Sequence, residues 1–215
     1  MMKMKFQKCA PTLPLDDVLR KWIDLNRKIA ETWKDRHDVP WWYNERAAVS
    51  IFAGAVWKAG GFAFEEFADE KHQAPAKGRL ERRFHGRVDL YANIKGKEFI
   101  FEAKQCSSGA SSVGADRSKK IRARLDKAVD DARQIPAKGK KRLALLFVIP
   151  DVRLRHGAHP DDRIKHWLQM AKDAQWYNSD AMAYVFPKCA RRTKWGKPGH
   201  VKHYYPGSMV LIKQA

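Results

Sequence analysis

Two short apolar segments near the middle of the chain carry acidic residues and a lysine. Asp89 lies in the first segment, and Glu102 and Lys104 lie in the second. Between the segments, Lys95 and Gly96 are typical of a two-residue hairpin loop. Carboxylate oxygens are the ligands that hard divalent cations such as Mg²⁺ prefer. These residue types therefore indicate a metal site with a cationic neighbour.

Counting outward from the loop gives the expected positions of these side chains. If Ile94 pairs with Lys97, Asp89 lies directly opposite Glu102 on the same face of the hairpin. Because side chains alternate along a strand, Lys104 shares that face. Opposed like charges destabilise a sheet unless a cation neutralises them. The register therefore predicts that two carboxylates and one ammonium group converge.

An alternative interpretation makes Glu102 and Lys104 solvated residues of a half-exposed strand, where charged and apolar residues often alternate. Two features favour the metal site instead. Glu102 and Lys104 flank Ala103 in an otherwise aromatic run, and aspartate, which stands at position 89, is disfavoured in strands.

An aspartate followed about a dozen residues later by Glu-x-Lys resembles the core motif of the PD-(D/E)xK, or restriction-endonuclease-like, nuclease superfamily. Val88 stands where the superfamily usually has a proline. The resemblance implies that Asp89 and Glu102 bind Mg²⁺, with Mn²⁺ as a substitute. It also implies that Lys104 positions or activates the attacking water.

Many members of this superfamily carry a further glutamate on the helix before the hairpin, and Glu45 is the match here. The resemblance implies that Glu45 is a third metal ligand and that Gln105 helps to position the substrate. The residues alone leave another explanation open, because the helix dipole favours a carboxylate in a first turn without any chemistry. Glu65 or Glu66, in the first predicted strand, is a secondary acidic candidate, and Glu65 is the main alternative to Glu45 as the accessory acid.

The charge of the chain is strongly unbalanced. Its 215 residues carry a formal net charge of +19, with a pI near 10.0. Such an excess favours a polyanionic partner through phosphate contacts and counterion release. Eight tryptophans and an aromatic content of 11% argue against a disordered basic tail. We therefore expect a folded protein with a polyanionic partner, and the resemblance implies that this partner is DNA, either duplex or branched.

Basic residues concentrate in two regions beyond the hairpin. Residues 117–142 contain eleven Lys or Arg and three Asp, and no acidic residue follows Asp180. Such runs are commonly solvated faces, but the first directly follows the proposed site, which favours phosphate contacts. Aromatic residues interleave with the second, which suits exposed bases or packing onto the domain. The predicted nucleic-acid contacts are Arg87, Arg117, Lys119, Lys120, Arg122, Arg124, Arg191, Arg192 and Lys194.

Hydrophobic periodicity predicts alternating helices and strands. The predicted helices cover residues 15–36, 42–59, 117–134 and 161–173, and the predicted strands cover residues 61–67, 86–94, 97–105, 142–150, 181–186 and 208–213. We expect loops at residues 69–83 and 106–118. The continuous apolar run at 142–150 is typical of a strand buried on both faces.

This order favours an α/β fold with a restriction-endonuclease-like core, in which helices flank a central mixed β-sheet. We expect residues 41–186 to form this nuclease core. Residues 1–40 are predicted to be an N-terminal helical extension. Residues 187–215 are predicted to be a basic, aromatic C-terminal segment packed on the core.

Several classes of protein are disfavoured by the sequence. Cys9, Cys106 and Cys189 are far apart and form no CxxC pair, so neither a disulfide framework nor a zinc site is indicated. The longest apolar run, residues 143–149, is too short to cross a bilayer. Glycine-rich phosphate loops are absent, so we expect no nucleotide cofactor. We expect a cytoplasmic protein without a membrane partner.

The resemblance and the charge together imply a Mg²⁺-dependent nuclease that hydrolyses DNA phosphodiester bonds. An endonuclease of the restriction or defence type is the first expectation, because helicase and ATPase signatures are absent. Holliday-junction or repair nucleases and nuclease toxins are alternatives within this class. A catalytically silent nucleic-acid-binding module and an RNA-binding structural protein are alternatives outside it. Cleavage of both strands would imply a homodimer. The recognition sequence and the choice between endonuclease and exonuclease stay open.

Overall fold

The computed structural model describes nine stretches of the chain, at residues 3–7, 14–36, 38–73, 82–109, 115–136, 138–154, 160–173, 179–192 and 202–215. The α-helices are α1 (Asp16–Thr32), α2 (Glu45–Lys58), α3 (Ala115–Arg133) and α4 (Pro160–Asp173). The strands are β1 (Lys3–Gln7), β2 (Phe62–Gln73), β3 (Arg82–Ile94), β4 (Lys97–Gly109), β5 (Lys141–Leu154), β6 (Ala181–Phe186), β7 (Lys202–Tyr204) and β8 (Ser208–Gln214). Short 3₁₀ turns cover Lys34–Arg36, Pro40–Trp42 and Cys189–Arg192.

The strands form one mixed sheet in the order β1-β6-β8-β5-β4-β3-β2, and β7 pairs with the end of β5. Strands β4 and β5 run parallel, whereas the other neighbouring pairs are antiparallel. The strand predicted at residues 142–150 is therefore a central, parallel strand. The α/β class and the mixed sheet are confirmed.

Helices cover both faces of this sheet. Helices α1 and α2 pack on one face, where Trp22 and Phe52 are buried and the Phe52 ring meets Phe101 of β4 edge-on at 5.6 Å. Helices α3 and α4 pack on the other face, with Leu125 and Trp167 buried against β5 and β6. Among the described residues, no helix combines the length and the apolar character that crossing a membrane requires.

Helix α2 has a well-defined start and end. The Asn44 side chain accepts a hydrogen bond from the Ala47 N–H at 3.1 Å, which caps the helix. After Lys58 the chain passes through Gly60, whose φ of +82° is the left-handed conformation common after a helix. The capped start places Glu45 in the first turn, beside the middle of the sheet.

The strands are longer than the sequence predicted. The loop expectation was wrong for residues 69–73 and 82–83, which extend β2 and β3, and for residues 106–109, which extend β4. It was also wrong for residues 115–118, which begin α3. The polar stretches that extend β2, β3 and β4 lack apolar alternation, so pairing with a neighbouring strand decides their conformation rather than intrinsic propensity.

Both ends of the chain contribute strands to the sheet. Strand β1 was not predicted, because it is short and alternates lysine with apolar residues, as edge strands commonly do. Strand β8 lies between β6 and β5 in the interior of the sheet, where its first five residues are buried. The division into a helical extension, a core and a C-terminal segment stays a prediction.

Candidate metal and nucleic-acid site at a strand fork

Strands β3 and β4 separate at the candidate site. They pair from the two-residue loop, with the predicted register, as far as Leu90 opposite Phe101. Beyond that pair, β3 continues beside β2, and β4 continues beside β5. Asp89 and Glu102 are the next residues on the two strands. Both predicted acids therefore lie where the strands begin to diverge, and we call this place the fork.

Asp89 bridges the fork with its side chain. Its Oδ2 accepts a hydrogen bond from the backbone N–H of Ala103 at 2.7 Å. On its other side, β3 pairs with β2, but this pairing is interrupted at Glu66 of β2 and Asp89 of β3. Glu66 has a φ of +54°. A left-handed backbone is unfavourable for a residue other than glycine, and such strain is concentrated at functional sites.

An acidic cavity of about 280 Å³ lies beside the fork, between the start of α2 and strands β2 and β3. Its lining residues include Glu45, Glu65, Glu66 and Asp89. Oxygen donors of this kind suit a hard cation. Within the described ranges, no group of three or more His, Cys, Asp or Glu side chains is arranged as a preformed metal site.

Glu45 connects α2 to the fork. Its Oε2 accepts a hydrogen bond from the backbone N–H of Gln105 at 2.8 Å. Partial burial raises the pKa of Glu45 above its ordinary value, and the nearby Asp89 carboxylate adds to this effect. Lys104 and Arg124 oppose the increase in this pKa through their positive charges. Glu45 is therefore close enough to Asp89 and Lys104 to interact with both, which a capping role alone does not require.

The side-chain amide of Gln105 is anchored through its nitrogen atom. Its Nε2 donates a hydrogen bond to the backbone carbonyl of Tyr43 at 2.8 Å, which fixes the orientation of the amide. The Oε1 atom is buried and accepts no hydrogen bond from the described residues. A buried acceptor without a partner is costly, so this oxygen is suited to a ligand, a cation or a water held at the site.

The side chain of Lys104 contacts α3. Its Nζ donates a hydrogen bond to the carbonyl of Ala103 at 2.9 Å and forms an ion pair with Asp131 Oδ2 at 3.2 Å. Glu102, two residues earlier on the same strand, is only 3% exposed and is not among the residues that line the acidic cavity. The structure therefore brings Asp89, Glu102 and Lys104 to one fork, but it does not place all three in one cavity.

Basic residues of α3 lie beside the far end of β4. Lys120, Arg124 and Lys127 line a second cavity of about 440 Å³, together with Gln105 and Cys106. Burial raises the pKa of the Cys106 thiol to about 11, although Lys120 and Arg124 act to lower this pKa. That effect shows that the two cations lie close to β4. Gln105 thus lies between the acidic and the basic sides of the fork.

The other predicted nucleic-acid contacts differ in how they are placed. Lys119 and Arg122 are exposed on α3, and Arg87 is 71% exposed with its NH1 atom 3.7 Å from Glu66. Arg117 belongs to the first turns of α3, and Arg191 and Arg192 end a 3₁₀ turn, but their side chains lie outside the described set. Lys194 lies outside the described residues altogether.

Sequence reasoning missed two charged residues at the fork. Asp131 pairs with Lys104, and Arg46 pairs with Glu66 at 2.8 Å. Asp131 lies on a helical face rich in charge, where a single residue that turns toward a strand looks like its solvated neighbours, and Arg46 lies in the first turn of the mostly apolar helix α2. The only signal for Asp131 is its spacing of four residues from Lys127, with which it forms an ion pair at 2.7 Å.

Comparisons with known proteins add little to this geometry. No family model matches the chain, and no curated protein matches it. A solved structure titled "Crystal structure of SSO0001" is similar over 66% of this chain and 74% of its own, with 10% sequence identity and a TM-score of 0.22. A likeness at that level carries no argument about fold or function. What the structure defines is an α/β protein with an acidic fork in a mixed sheet.

Proposed function

We propose that this protein is a Mg²⁺-dependent deoxyribonuclease with a restriction-endonuclease-like core. The observation that supports the proposal best is the fork. There Asp89 and Glu102 are the first residues beyond the last pair of β3 and β4. Glu45 is bonded to the same strand as Glu102, at Gln105. A basic helix lies next to these acids, as a polyanionic substrate requires.

The donor atoms at the fork fit a hard divalent cation. Asp89 and Glu45 line the acidic cavity, and Gln105 supplies a buried oxygen to which none of the described residues donates a hydrogen bond. In this proposal Asp89, Glu102 and Glu45 would hold Mg²⁺, or Mn²⁺ as a substitute. A bound Mg²⁺ lowers the pKa of water and neutralises charge on the phosphate.

The residues of the chain supply positioning and charge in the proposed reaction. Lys104 orients the attacking water and stabilises the negative charge that develops on a non-bridging phosphate oxygen. Gln105, anchored through Tyr43, contacts the substrate beside the scissile bond. Lys120 and Arg124 bind flanking phosphates, which fixes the DNA backbone without reading its sequence.

Within this class we favour an endonuclease of the restriction or defence type acting on duplex or branched DNA. A Holliday-junction or repair nuclease would use the same residues and differ only in the DNA that it binds. To cleave both strands of a duplex, the protein would need either a homodimer with two active sites or two successive binding events.

A catalytically silent nucleic-acid-binding module is the second candidate function. The observation that favours it is the absence of a preformed three-residue metal cluster in the described part of the chain. Such a module would use the basic face of α3 in the same way, but would not cleave.

Cleavage assays separate the two functions. Purified protein would be incubated with supercoiled plasmid, linear duplex and a four-way junction, with either Mg²⁺ or EDTA. The matched variants are Lys104→Ala and Lys97→Ala, because Lys97 is an exposed lysine at the hairpin end of the same strand. Mg²⁺-dependent cleavage by the wild type and Lys97→Ala, and none by Lys104→Ala, is the expected result. Tight binding without any cleavage would support the silent module.

A further inference from the structure

Asp131 of α3 holds two lysines at once. Its Oδ2 lies 3.2 Å from Lys104 Nζ, and its Oδ1 lies 2.7 Å from Lys127 Nζ. The side chains of Lys104 and Asp131 are each 19% exposed, whereas the Lys127 side chain is 57% exposed. The carboxylate thus joins a half-buried lysine at the fork to an exposed lysine on the basic face of α3.

This contact restricts the conformations of Lys104. A lysine has four rotatable side-chain bonds and a flexible ammonium group, so it loses much of its freedom when it is held in one place. Lys104 is held at its end by two oxygens, the Ala103 carbonyl and the Asp131 carboxylate. Asp131 comes from a different element, α3, and therefore fixes the lysine relative to both the sheet and the helix.

Burial raises the pKa of Asp131, but hydrogen bonds from Lys127 and Lys104 outweigh this effect and leave its pKa below the ordinary value. The group therefore carries a full negative charge at neutral pH. An ionised carboxylate forms stronger hydrogen bonds to an ammonium group than a neutral oxygen does.

We propose that Asp131 is a positioning residue for the nuclease reaction, which holds Lys104 at the fork and couples it to the phosphate-binding face of α3. This inference rests on the proposed function, because it assigns a partner to the lysine of the same site. Asp131 does not touch the substrate in this account. It acts through Lys104, and Lys127 keeps the carboxylate turned toward the strand.

The chain offers a matched control for this residue. Asp130 is the neighbouring aspartate on α3; it is exposed and forms an ion pair with Arg133 at 3.4 Å. Asp131→Asn and Asp130→Asn change the net charge equally, but only the first changes the carboxylate that holds Lys104. Asp131→Glu keeps the charge and lengthens the side chain by one methylene.

The test measures plasmid cleavage by the full chain in Mg²⁺, with kcat and KM determined separately for the wild type and these three variants. We expect Asp131→Asn to lower kcat by about 10- to 100-fold, as loss of a group that orients a catalytic residue does, with KM within about twofold. Asp130→Asn should match the wild type, and Asp131→Glu should recover part of the loss.

A second measurement does not depend on cleavage. Urea midpoints of the wild type, Lys104→Met, Asp131→Asn and the double variant form a double-mutant cycle. Because the two side chains are in contact, we expect the double variant to lose less than the sum of the single losses.

Distinct results would overturn the inference and the proposed function. If the wild type cleaves but Asp131→Asn cleaves equally well, or if Asp130→Asn loses as much, the positioning role is wrong and the nuclease assignment stands. Additive midpoint losses would also overturn the role, since they would show that the two residues are uncoupled. If the wild type cleaves no DNA, the proposed function fails, and the positioning role fails with it.

Discussion

The Asp89 carboxylate accepts a hydrogen bond from the backbone N–H of Ala103 at the point where their strands stop pairing. A side chain thus occupies the place that a backbone carbonyl holds elsewhere in the ladder. This bond fixes one oxygen of Asp89, a residue that also lines the acidic cavity. Ala103, whose N–H donates this bond, directly follows Glu102 on β4.

The two candidate accessory acids should differ in their importance. Glu45 accepts a hydrogen bond from the Gln105 N–H and interacts with Asp89, whereas Glu65 accepts a hydrogen bond from Ser50 Oγ at 2.8 Å. We predict that Glu45→Gln lowers Mg²⁺-dependent cleavage by about 10-fold or more, as loss of a metal-site carboxylate or its partner commonly does. Glu65→Gln should change it less. Equal losses in the two matched variants would show that the contact with β4 does not distinguish the two acids.

The basic face of α3 should determine DNA affinity and its dependence on salt. Each lysine or arginine that contacts a phosphate contributes about one unit to the slope of log affinity against log salt concentration. We predict that Lys120→Ala and Arg124→Ala each weaken binding and reduce that slope by about one. Lys165→Ala on α4 is the control, because this lysine is exposed and paired with Asp162. Binding measured at several salt concentrations tests the prediction, and an equal effect of Lys165→Ala would indicate a nonspecific charge effect.

Asp131 should contribute to stability in a pH-dependent way. Its pKa in the folded protein is below the ordinary value of 3.8, so its ionised form stabilises the fold. That contribution is fully present above the unfolded-state pKa and is lost as the pH falls through the folded-state pKa. We predict that the wild type exceeds Asp131→Asn in free energy of unfolding at pH 7 and that the difference shrinks below about pH 4. Urea denaturation across this range would contradict the assignment if the difference stayed constant.

Gly207, which precedes β8, should be intolerant of a side chain. A Cβ there would lie 2.2 Å from the Val185 carbonyl oxygen and 2.6 Å from the Phe186 ring. Because neither β6 nor a buried aromatic ring can move freely, we predict that Gly207→Ala destabilises the protein by about 1–3 kcal/mol.

Gly109→Ala is the matched control for Gly207→Ala. Among the described residues other than its chain neighbours, no atom lies within 4 Å of a Cβ at Gly109, which ends β4. Thermal denaturation of both variants tests the packing of β6 against the segment before β8. Equal midpoints would show that this packing is looser than described.

The residues that form the hairpin could be predicted from the sequence because each signal was local. Lys95-Gly96 specifies a two-residue loop, and alternation then sets the faces of Glu102 and Lys104. The continuous apolar run of β5 likewise identified a strand buried on both faces. Helix α2 was predicted to begin at residue 42, three residues early, because Trp42 belongs to the preceding 3₁₀ turn.

The fork and its electrostatics depend on contacts between distant parts of the chain. The end of the β3–β4 ladder is set by where β2 and β5 continue to pair, which local patterns do not show. The contact of Lys104 with Asp131 spans 27 positions and depends on how α3 lies on the sheet. Strand β8 was recognised as a strand, but its central position follows from the order of pairing rather than from its sequence.

The most direct test of the central claim compares the wild type with Glu102→Gln on supercoiled plasmid while Mg²⁺ is titrated. Glu102→Gln is close in shape to the wild-type residue but removes the negative charge next to the fork. We predict that the wild type nicks or linearises the plasmid only when Mg²⁺ is present, and that Glu102→Gln binds DNA with similar affinity but does not cleave it. Equal cleavage by the two proteins, or cleavage by the wild type in EDTA, would contradict the assignment of the fork as a metal-dependent nuclease site.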